Sequence, residues 1–359
     1  MDIVLEGFDT YALDWVYAHV FPASRASFLT QYVHGAATST FSSMREGATY
    51  TPTQKYIYQP ASRFISFEPT QWAYSSSLPR DNFYRQFTSL FFITWAFGMI
   101  LYFALAGLSY RFVFDHDTFK HPKYLKNQIT MEIRQAMTSM PGMSLLTAAC
   151  FTAEVRGHAK LYDSLSAAPF SLYNIIQFPF FILFTDCLIY FIHRGLHHPR
   201  FYKTLHKSHH KWIMPTPFAS HAFHPIDGFA QSIPYHLFPF IFPLQKLAYI
   251  ALFVFINVWT IMIHDGEYVA NSPIINGAAC HTMHHLYFNY NYGQFTTLWD
   301  RMGGSYRKPN DELFSKESKM GKQEWERQTK EMERIVKEVE GDDDRKYGEE
   351  AARIQRKML

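Results

Sequence analysis

The chain has 359 residues, and its 34 Lys and Arg nearly balance its 31 Asp and Glu, which leaves a formal net charge of +3. Because no basic stripe is interleaved with aromatic residues, the sequence argues against a nucleic-acid partner. The only cysteines, Cys150, Cys187 and Cys280, are too widely spaced for a disulfide framework or a cysteine zinc site, so any metal must use other ligands.

Residues 1–84 precede the first long apolar run and form a leader. Asp2 and Glu6 lie where a signal peptide would carry basic residues and then an apolar core, so we expect the leader to be retained. Residues 20–80 are rich in Ser, Thr, Pro and Tyr. They predict a polar, loosely ordered segment lying at the protein surface or the membrane interface.

The apolar runs predict an all-α protein that crosses a membrane about four times. Residues 86–110 carry no charge over 25 positions, which is enough to cross the hydrocarbon core. The run Met143–Val155 is apolar but short, so an interfacial or re-entrant segment is as plausible as a span. The charge-free run from Ser164 to Thr185 leads to His193 and predicts a further span.

Two more apolar runs, Gly228–Gln245 and Leu247–Ile263, predict a hairpin. A single crossing here would put the histidines before and after it on opposite sides of the membrane, so a shared site requires a segment that enters and returns. Proline interrupts a helix and lysine can reach the interface, so both suit the turn. The candidate turn positions are Pro234, Pro239, Pro243 and Lys246. The number of crossings before His193 stays open, because the basic residues between Arg111 and Lys160 conflict with a positive-inside topology that keeps the histidines cytosolic.

Residues 311–359 predict a charged cytosolic tail. The stretch QEWERQTKEMERIVKEVE reads as an exposed helix of alternating charge. The chain ends RKML, which resembles a dibasic retrieval signal of endoplasmic-reticulum membrane proteins. The expected location is therefore the endoplasmic-reticulum membrane, which the chain would cross several times with its histidines facing the cytosol.

Histidines are concentrated in the middle of the chain, where thirteen of the 18 fall between His193 and His285. Three segments, HRGLH, HKSHH and HTMHH, repeat them at offsets of three or four, which places each set on one face of a helix. Leaving eight such rings buried without partners would forfeit about 1–3 kcal/mol each. A metal pair would satisfy them.

The donor set favours iron. Eight nitrogen ligands exceed the needs of one tetrahedral zinc, and two centres with room for oxygen favour a di-iron site. Two haems, each held by two histidines, are the main rival, although they would need isolated histidines on facing helices. A single histidine, by contrast, is more often a satisfied structural residue than a ligand.

The segments HRGLHH, LHKSHH and HTMHH resemble the three histidine boxes of the membrane fatty acid hydroxylase/sterol desaturase superfamily. The extended motifs PTPFASHAFHPIDG, WTIMIHDGEY and NYNYGQFTTLWDRMGGSYR are similar to those of the fungal sterol C5-desaturases. The likeness covers residues 85–310. It implies a membrane-embedded desaturase domain with a cytosolic, histidine-rich helical cap that holds a di-metal site.

The resemblance also implies the site residues. The metal ligands would be His193, His197, His206, His209, His210, His281, His284 and His285, with His264 as a ninth. His198 competes with His197, because some relatives space the first box one residue wider, and His224 is either a ligand or an outer-shell group. We expect Asp186 to accept a hydrogen bond from a ligand imidazole. Further residues that would brace the third box are Asn289, Asn291, Asp300 and Arg301.

The implied activity is the O2-dependent introduction of the C5=C6 double bond into a Δ7-sterol such as episterol, in ergosterol biosynthesis, at two non-haem irons. No GxGxxG fingerprint or HPGG haem motif is found, so electrons would come from a separate cytochrome b5 and its NAD(P)H-dependent reductase. Two alternatives stay open. One is a sterol C4-methyl oxidase or lipid hydroxylase of the same superfamily, and the other is a non-enzymatic membrane protein that binds metal or haem.

Overall fold

The computed structural model describes residues 1–23, 58–269 and 271–347, and these are mostly helical. The α-helices are α1 Asp2–Phe8, α2 Asp14–Val20, α3 Phe83–Phe112, α4 Gln128–Val155, α5 Tyr173–Leu196, α6 Pro199–Phe201, α7 Pro225–Ile241, α8 Lys246–Met262, α9 Ala278–Tyr287, α10 Leu298–Met302, α11 Lys316–Lys319 and α12 Lys322–Val339. Single π-helical turns span Asp9–Leu13 and Tyr202–His206, and 3-10 turns span Gln71–Tyr74, His116–Lys120, Leu165–Ala167, Pro217–His221 and Asp311–Phe314. Two short strands, β1 Leu161–Tyr162 and β2 Leu244–Gln245, pair in parallel.

Helices α3 and α4 pack against each other along the chain's longest helical hairpin. Asn82 caps α3, since its side chain accepts a hydrogen bond from the Arg85 amide at 3.1 Å. With 30 and 28 residues the two helices are roughly 45 and 42 Å long, which exceeds the hydrocarbon thickness. The apolar run Met143–Val155 is therefore the C-terminal half of a long helix and not a separate short segment.

Two helices of the described chain, α3 and α5, are both long and apolar enough to cross a membrane, and α8 is equally apolar but has only 17 residues. Large apolar side chains lie exposed on their outer faces, including Ile100, Ile175 and Phe191. Exposed apolar side chains of this size on apolar helices are typical of contact with lipid. These helices support membrane association, while the expected total of about four crossings stays a prediction.

Helices α7 and α8 form the expected hairpin. Helix α7 begins beside the second histidine box, and α8 ends two residues before His264. The chain turns at residues 242–245, where β2 pairs with β1. The prediction that Pro234 and Pro239 mark the turn is wrong, because both lie inside α7. Each proline removes one backbone hydrogen bond and its ring crowds the carbonyl four residues earlier, so the packing of α7 must offset both costs.

The first residues of the leader pack one face into the protein, while side chains on the other face, such as Tyr11 and Trp15, are exposed. Met1 and Leu5 belong to the main hydrophobic core, together with residues of α3, α5 and α8. Arg85 of α3 donates hydrogen bonds to the carboxylates of Asp9 and Asp14, both at 2.6 Å. A leader with this many buried contacts is part of the fold, although residues 24–57 lie outside the described chain.

The charged tail helix α12 is docked onto α9, contrary to the expectation of a solvated helix. Its Met332, Ile335 and Val336 are buried against Leu286 and Tyr287. The spacing of these three apolar residues places them on one face, so α12 is amphipathic despite its high charge. The terminal RKML lies outside the described residues.

Candidate metal centre

The nine histidines expected to bind metal converge at one end of the helical bundle and form two groups. The first group contains His193, His197, His206, His210 and His284, and the second contains His209, His264, His281 and His285. Within each group, the candidate ligand nitrogens all lie within 4.8 Å of one another. Eight of the nine side chains are buried, and His197 is partly exposed.

Helical spacing explains how the boxes divide between the groups. Each pair of histidines four residues apart points to the same group, as His281 and His285 do on one face of α9. His206 ends a π-helical turn and His210 lies in the turn that follows, where its amide donates to the His206 carbonyl at 3.2 Å and keeps the two rings on one side. The remaining member of a box points to the other group. Box two thus contributes His209 to the second group, and box three contributes His284 to the first. Because boxes two and three each contribute to both groups, the two groups form one connected centre.

The Nε2 atoms face one another across each group at hydrogen-bond distance or slightly beyond. In the first group, Nε2 of His210 lies 3.0 Å from that of His284 and 3.1 Å from that of His197. In the second group, Nε2 of His281 lies 3.0 Å from that of His264. Such convergence of nitrogens suits shared coordination of a cation.

Hydrogen bonds at the opposite ring nitrogen fix the orientation of several rings. The Nδ1 atoms of His193, His264 and His284 donate to the carbonyls of Tyr292, Thr260 and Tyr290, at 2.9, 2.7 and 2.7 Å. A carbonyl only accepts, so Nδ1 carries the proton and Nε2 of each neutral ring presents a lone pair to the site. These lone pairs fit a metal site, because facing lone pairs repel unless a cation lies between them.

The protonation state of the rings also suits metal binding. Burial, followed by the neighbouring histidines, lowers the pKa of His209, His210, His281 and His285 well below the usual value. Burial likewise lowers the pKa of His284 to about 3. The rings are therefore neutral at neutral pH, which is the form that coordinates metals.

His198 and His224 lie outside both groups. His198 is exposed, and its Nδ1 accepts a hydrogen bond from the Arg200 amide at 3.3 Å. His224 caps α7 in the same way, accepting from the Ile226 amide at 3.3 Å. The structure thus brings His197, and not His198, to the centre.

The expectation that Asp186 accepts a hydrogen bond from a ligand imidazole is wrong. Its carboxylate accepts from the backbone amides of Gln294, Phe295 and Thr296 and from the Thr296 hydroxyl, at 2.6–3.1 Å. Asp186 lies two helical turns before His193, roughly 10 Å along the axis, and the chain after box three returns to that level. It acts on the site indirectly by holding this returning loop.

Asp300 accepts hydrogen bonds from the same loop. Its carboxylate accepts from the amides of Tyr292 and Gly293 at 2.9 and 2.8 Å, and the Tyr292 carbonyl in turn orients His193. Asn291 also supports box three, since it donates to the Cys280 carbonyl at 3.2 Å. The side chain of Asn289 is exposed.

The tail adds a contact that the sequence did not suggest. Arg345 donates to the backbone carbonyl of His210 at 2.9 Å and forms a buried ion pair with Glu340 at 2.8 Å. Glu340 also accepts a hydrogen bond from the Tyr202 hydroxyl at 2.7 Å. The tail therefore closes over box two from outside.

Comparison with known proteins decides the family. The fatty acid hydroxylase family model matches residues 178–305. The Delta(7)-sterol 5(6)-desaturase of Aspergillus fumigatus is 65% identical over 97% of both chains, and that of Leptosphaeria maculans is 58% identical over 97% of both. The Saccharomyces cerevisiae enzyme of the same name is 50% identical over 97% of both. The chain belongs to the Delta(7)-sterol 5(6)-desaturase family. No solved structure matches it.

One desaturase residue that the sequence analysis missed is Asp227. Its carboxylate is fully buried and lies 2.8 Å from Nδ1 of His206, which makes it the carboxylate partner of a candidate ligand. A signal was present, because Asp227 is the only acidic residue in an otherwise uncharged helix. The carbonyls of Tyr290, Tyr292 and Thr260 left no such signal, since every residue carries one.

A partly open cavity lies behind Phe223 and Thr260, which separate it from the second histidine group of this desaturase. Its wall comes from α3, α4, α7 and α8, and it is mostly apolar. Phe223 contributes to the wall and stacks on the His209 ring with centroids 4.1 Å apart. A substrate in the cavity would thus lie next to the candidate ligands.

Proposed function

We propose that the chain is a sterol C5-desaturase, which introduces the C5=C6 double bond into a Δ7-sterol during ergosterol biosynthesis. The observation that carries the proposal is the identity of 48–65% to enzymes named Delta(7)-sterol 5(6)-desaturase over nearly the whole chain. The apolar cavity beside the histidine groups supports it, because a sterol is a rigid hydrocarbon that must reach the oxidising centre.

The two histidine groups are proposed to hold two iron ions. Five and four imidazoles suit iron, and they leave positions for oxygen at one or both metals. The bound metals would supply the oxidising power needed to remove two unactivated hydrogens, while O2 takes up these hydrogens, two electrons and two protons to give two molecules of water. Purified protein should contain about two irons per chain and show no haem absorbance.

The chain itself positions the sterol and keeps water away. The apolar side chains of Phe97, Met140 and Phe253 line the cavity and exclude solvent from the reacting carbons. Phe223 is held against His209, so it also limits how closely substrate and ligand rings approach. Asp227 and the loop carbonyls keep the imidazoles oriented throughout.

The electrons are proposed to come from cytochrome b5 and its NAD(P)H-dependent reductase. A basic surface next to box two supports docking of an acidic electron carrier. Its cations are Lys126, Lys203, Lys207, Lys211 and Lys346, and its one acidic residue, Asp344, pairs with Lys207 at 3.2 Å. The buried Arg345 lies beneath this surface and contacts the His210 carbonyl, so a carrier docked here would be close to the first group. Charge reversal by Lys203→Glu should slow reduction of the enzyme, whereas Lys337→Glu on the exposed face of α12 should not.

The proposed location is the endoplasmic-reticulum membrane, with the histidine boxes in the cytosol. The exposed apolar faces of α3 and α5 support insertion into a bilayer. A cytosolic site would be accessible to soluble domains of membrane-anchored electron carriers. Fluorescent tagging together with protease protection of the tail would test both parts of this proposal.

Sterol profiling tests the activity directly. In a fungal strain that lacks C5-desaturation, the chain should restore 5,7-diene sterols, and its His206→Ala and His284→Ala variants should not. His198→Ala provides a matched control, because this neighbouring histidine lies outside both groups. An unchanged sterol profile with the intact chain, correctly located and loaded with iron, would refute the proposed activity.

A further inference from the structure

The cavity wall carries polar side chains close to the second histidine group. Asn257 and Thr260 lie one turn apart on α8, and both line the cavity. His221 lies opposite, with Nε2 at 3.4 Å from Oδ1 of Asn257. Thr260 is next to the candidate ligands, since its carbonyl accepts a hydrogen bond from His264, and Asn257 lies one turn, or roughly 4.5 Å, further along α8.

The chemistry of the proposed reaction places the only polar group of the sterol, its 3-hydroxyl, at the end of the cavity near the second histidine group. The carbons to be oxidised, C5 and C6, must lie beside the metals. The hydroxyl on C3 is separated from C5 by about three covalent bonds, or roughly 4 Å. A sterol bound for C5 oxidation therefore has its hydroxyl near the histidines, and its hydrocarbon side chain extends towards the far end of the cavity.

Asn257 and His221 have the hydrogen-bonding capacity that a buried hydroxyl needs. Asn257 donates one amide hydrogen to the Phe253 carbonyl at 2.8 Å, which leaves its second amide hydrogen and its Oδ1 acceptor sites for a further partner. The contact between Oδ1 and His221 Nε2, at 3.4 Å, is at the long end of hydrogen-bond distances. The Oδ1 atom keeps a second lone pair, so it can accept from a further partner while His221 donates to it.

Building on the proposed function, we propose that Asn257 binds the 3-hydroxyl of the sterol and that His221 holds Asn257 in place. A hydroxyl both donates and accepts, and the Asn257 amide offers both complementary atoms. Because the sterol skeleton is rigid, fixing C3 also fixes which carbons face His209 and His264. Asn257 would then be the residue that directs oxidation to C5 and C6.

The test compares a Δ7-sterol with its 3-deoxy analogue, using iron-loaded full-length protein. For the wild type, we expect kcat/KM and binding of the radiolabelled sterols to favour the hydroxylated one about 10- to 100-fold. Asn257→Leu should reduce this preference to about threefold or less, with turnover of the 3-deoxy sterol nearly unchanged. His221→Leu should weaken the preference in the same direction.

His236→Leu is the matched control. His236 also lines the cavity, but it lies nine residues beyond Asp227 on α7, roughly 13 Å along the helix. Its replacement should leave the hydroxyl preference intact. A wild-type preference in Asn257→Leu and His221→Leu protein that retains its iron would overturn the proposal. A wild type that binds the hydroxylated sterol selectively but forms no diene would instead refute the proposed function and leave the binding role of Asn257 supported.

Discussion

Asp227→Asn should weaken metal binding at the first histidine group. The Asp227 carboxylate lies 2.8 Å from Nδ1 of His206 and also accepts a hydrogen bond from Gln231 at 2.8 Å. An amide can offer His206 only a neutral acceptor, and neutral acceptors make hydrogen bonds about half as strong as carboxylates do. Loss of such a partner typically costs about 10- to 100-fold in metal affinity, or roughly 1.4–2.8 kcal/mol.

The assay is iron content and affinity, measured by metal analysis of purified protein during competition with a chelator. Asp9→Asn is the matched control, because Asp9 is an equally buried carboxylate whose partner is the distant Arg85. That variant should lower thermal stability and leave iron affinity unchanged. Folded Asp227→Asn protein that binds two irons as tightly as the wild type would refute the role of Asp227 in orienting His206.

Three further predictions concern the cavity, the tail and pH. Gly98→Trp should reduce sterol turnover at least about tenfold by filling the cavity, whereas Gly107→Trp on the same helix should have little effect. A Cβ added at either glycine would meet no atom within 4 Å, but of these two glycines only Gly98 lines the cavity. Arg345→Ala should lower the stability of the iron-loaded enzyme by about 1.5–3 kcal/mol, because it removes the closer of the two cations that pair with the buried Glu340 and leaves only Lys207, at 3.4 Å. A melting temperature equal to that of Lys337→Ala protein would contradict this. Burial lowers the pKa of His121 to about 3, so the unfolded chain binds a proton first as the pH falls below about 6.5, and stability declines from there towards pH 3. His121→Asn should flatten this decline by about 1.4 kcal/mol at pH 5.5, measured as the free energy of unfolding, and a parallel curve would count against the assignment.

The sequence by itself determined the chemistry of the site and the class of fold. The offsets of three and four within each histidine box follow helical geometry, so they pointed to eight candidate ligands before any tertiary contact was known, and the family resemblance added His264. The apolar runs likewise indicated membrane helices, since span length is set by bilayer thickness. The resemblance of the extended motifs further indicated the reaction, and the comparisons with known proteins support it.

The local sequence pattern was a poorer guide to α12 and to α7, where charges or prolines occur within a helix that also packs against the protein. The charges of α12 suggested a solvated helix, because they outnumber Met332, Ile335 and Val336, which form the buried face. Pro234 and Pro239 suggested a turn, although both fit within α7. In each case tertiary packing outweighed the local preference, since burial of an apolar face stabilises more than a missing hydrogen bond costs.

Only the tertiary structure decided how the histidines divide into two groups and what holds them. His209 and His284 join a different group from the other histidines of their boxes, because neighbouring residues of a helical turn point in different directions. Which histidines they meet there depends on where the other helices lie. The contact of Asp227 with His206 joins residues 21 positions apart, and that of Asp186 with the loop at residues 294–296 joins segments more than 100 residues apart. Local sequence patterns do not reveal contacts at such separations, so only the tertiary structure shows them. Sequence spacing fixes directions within one helix, but contacts between helices depend on how the whole bundle packs.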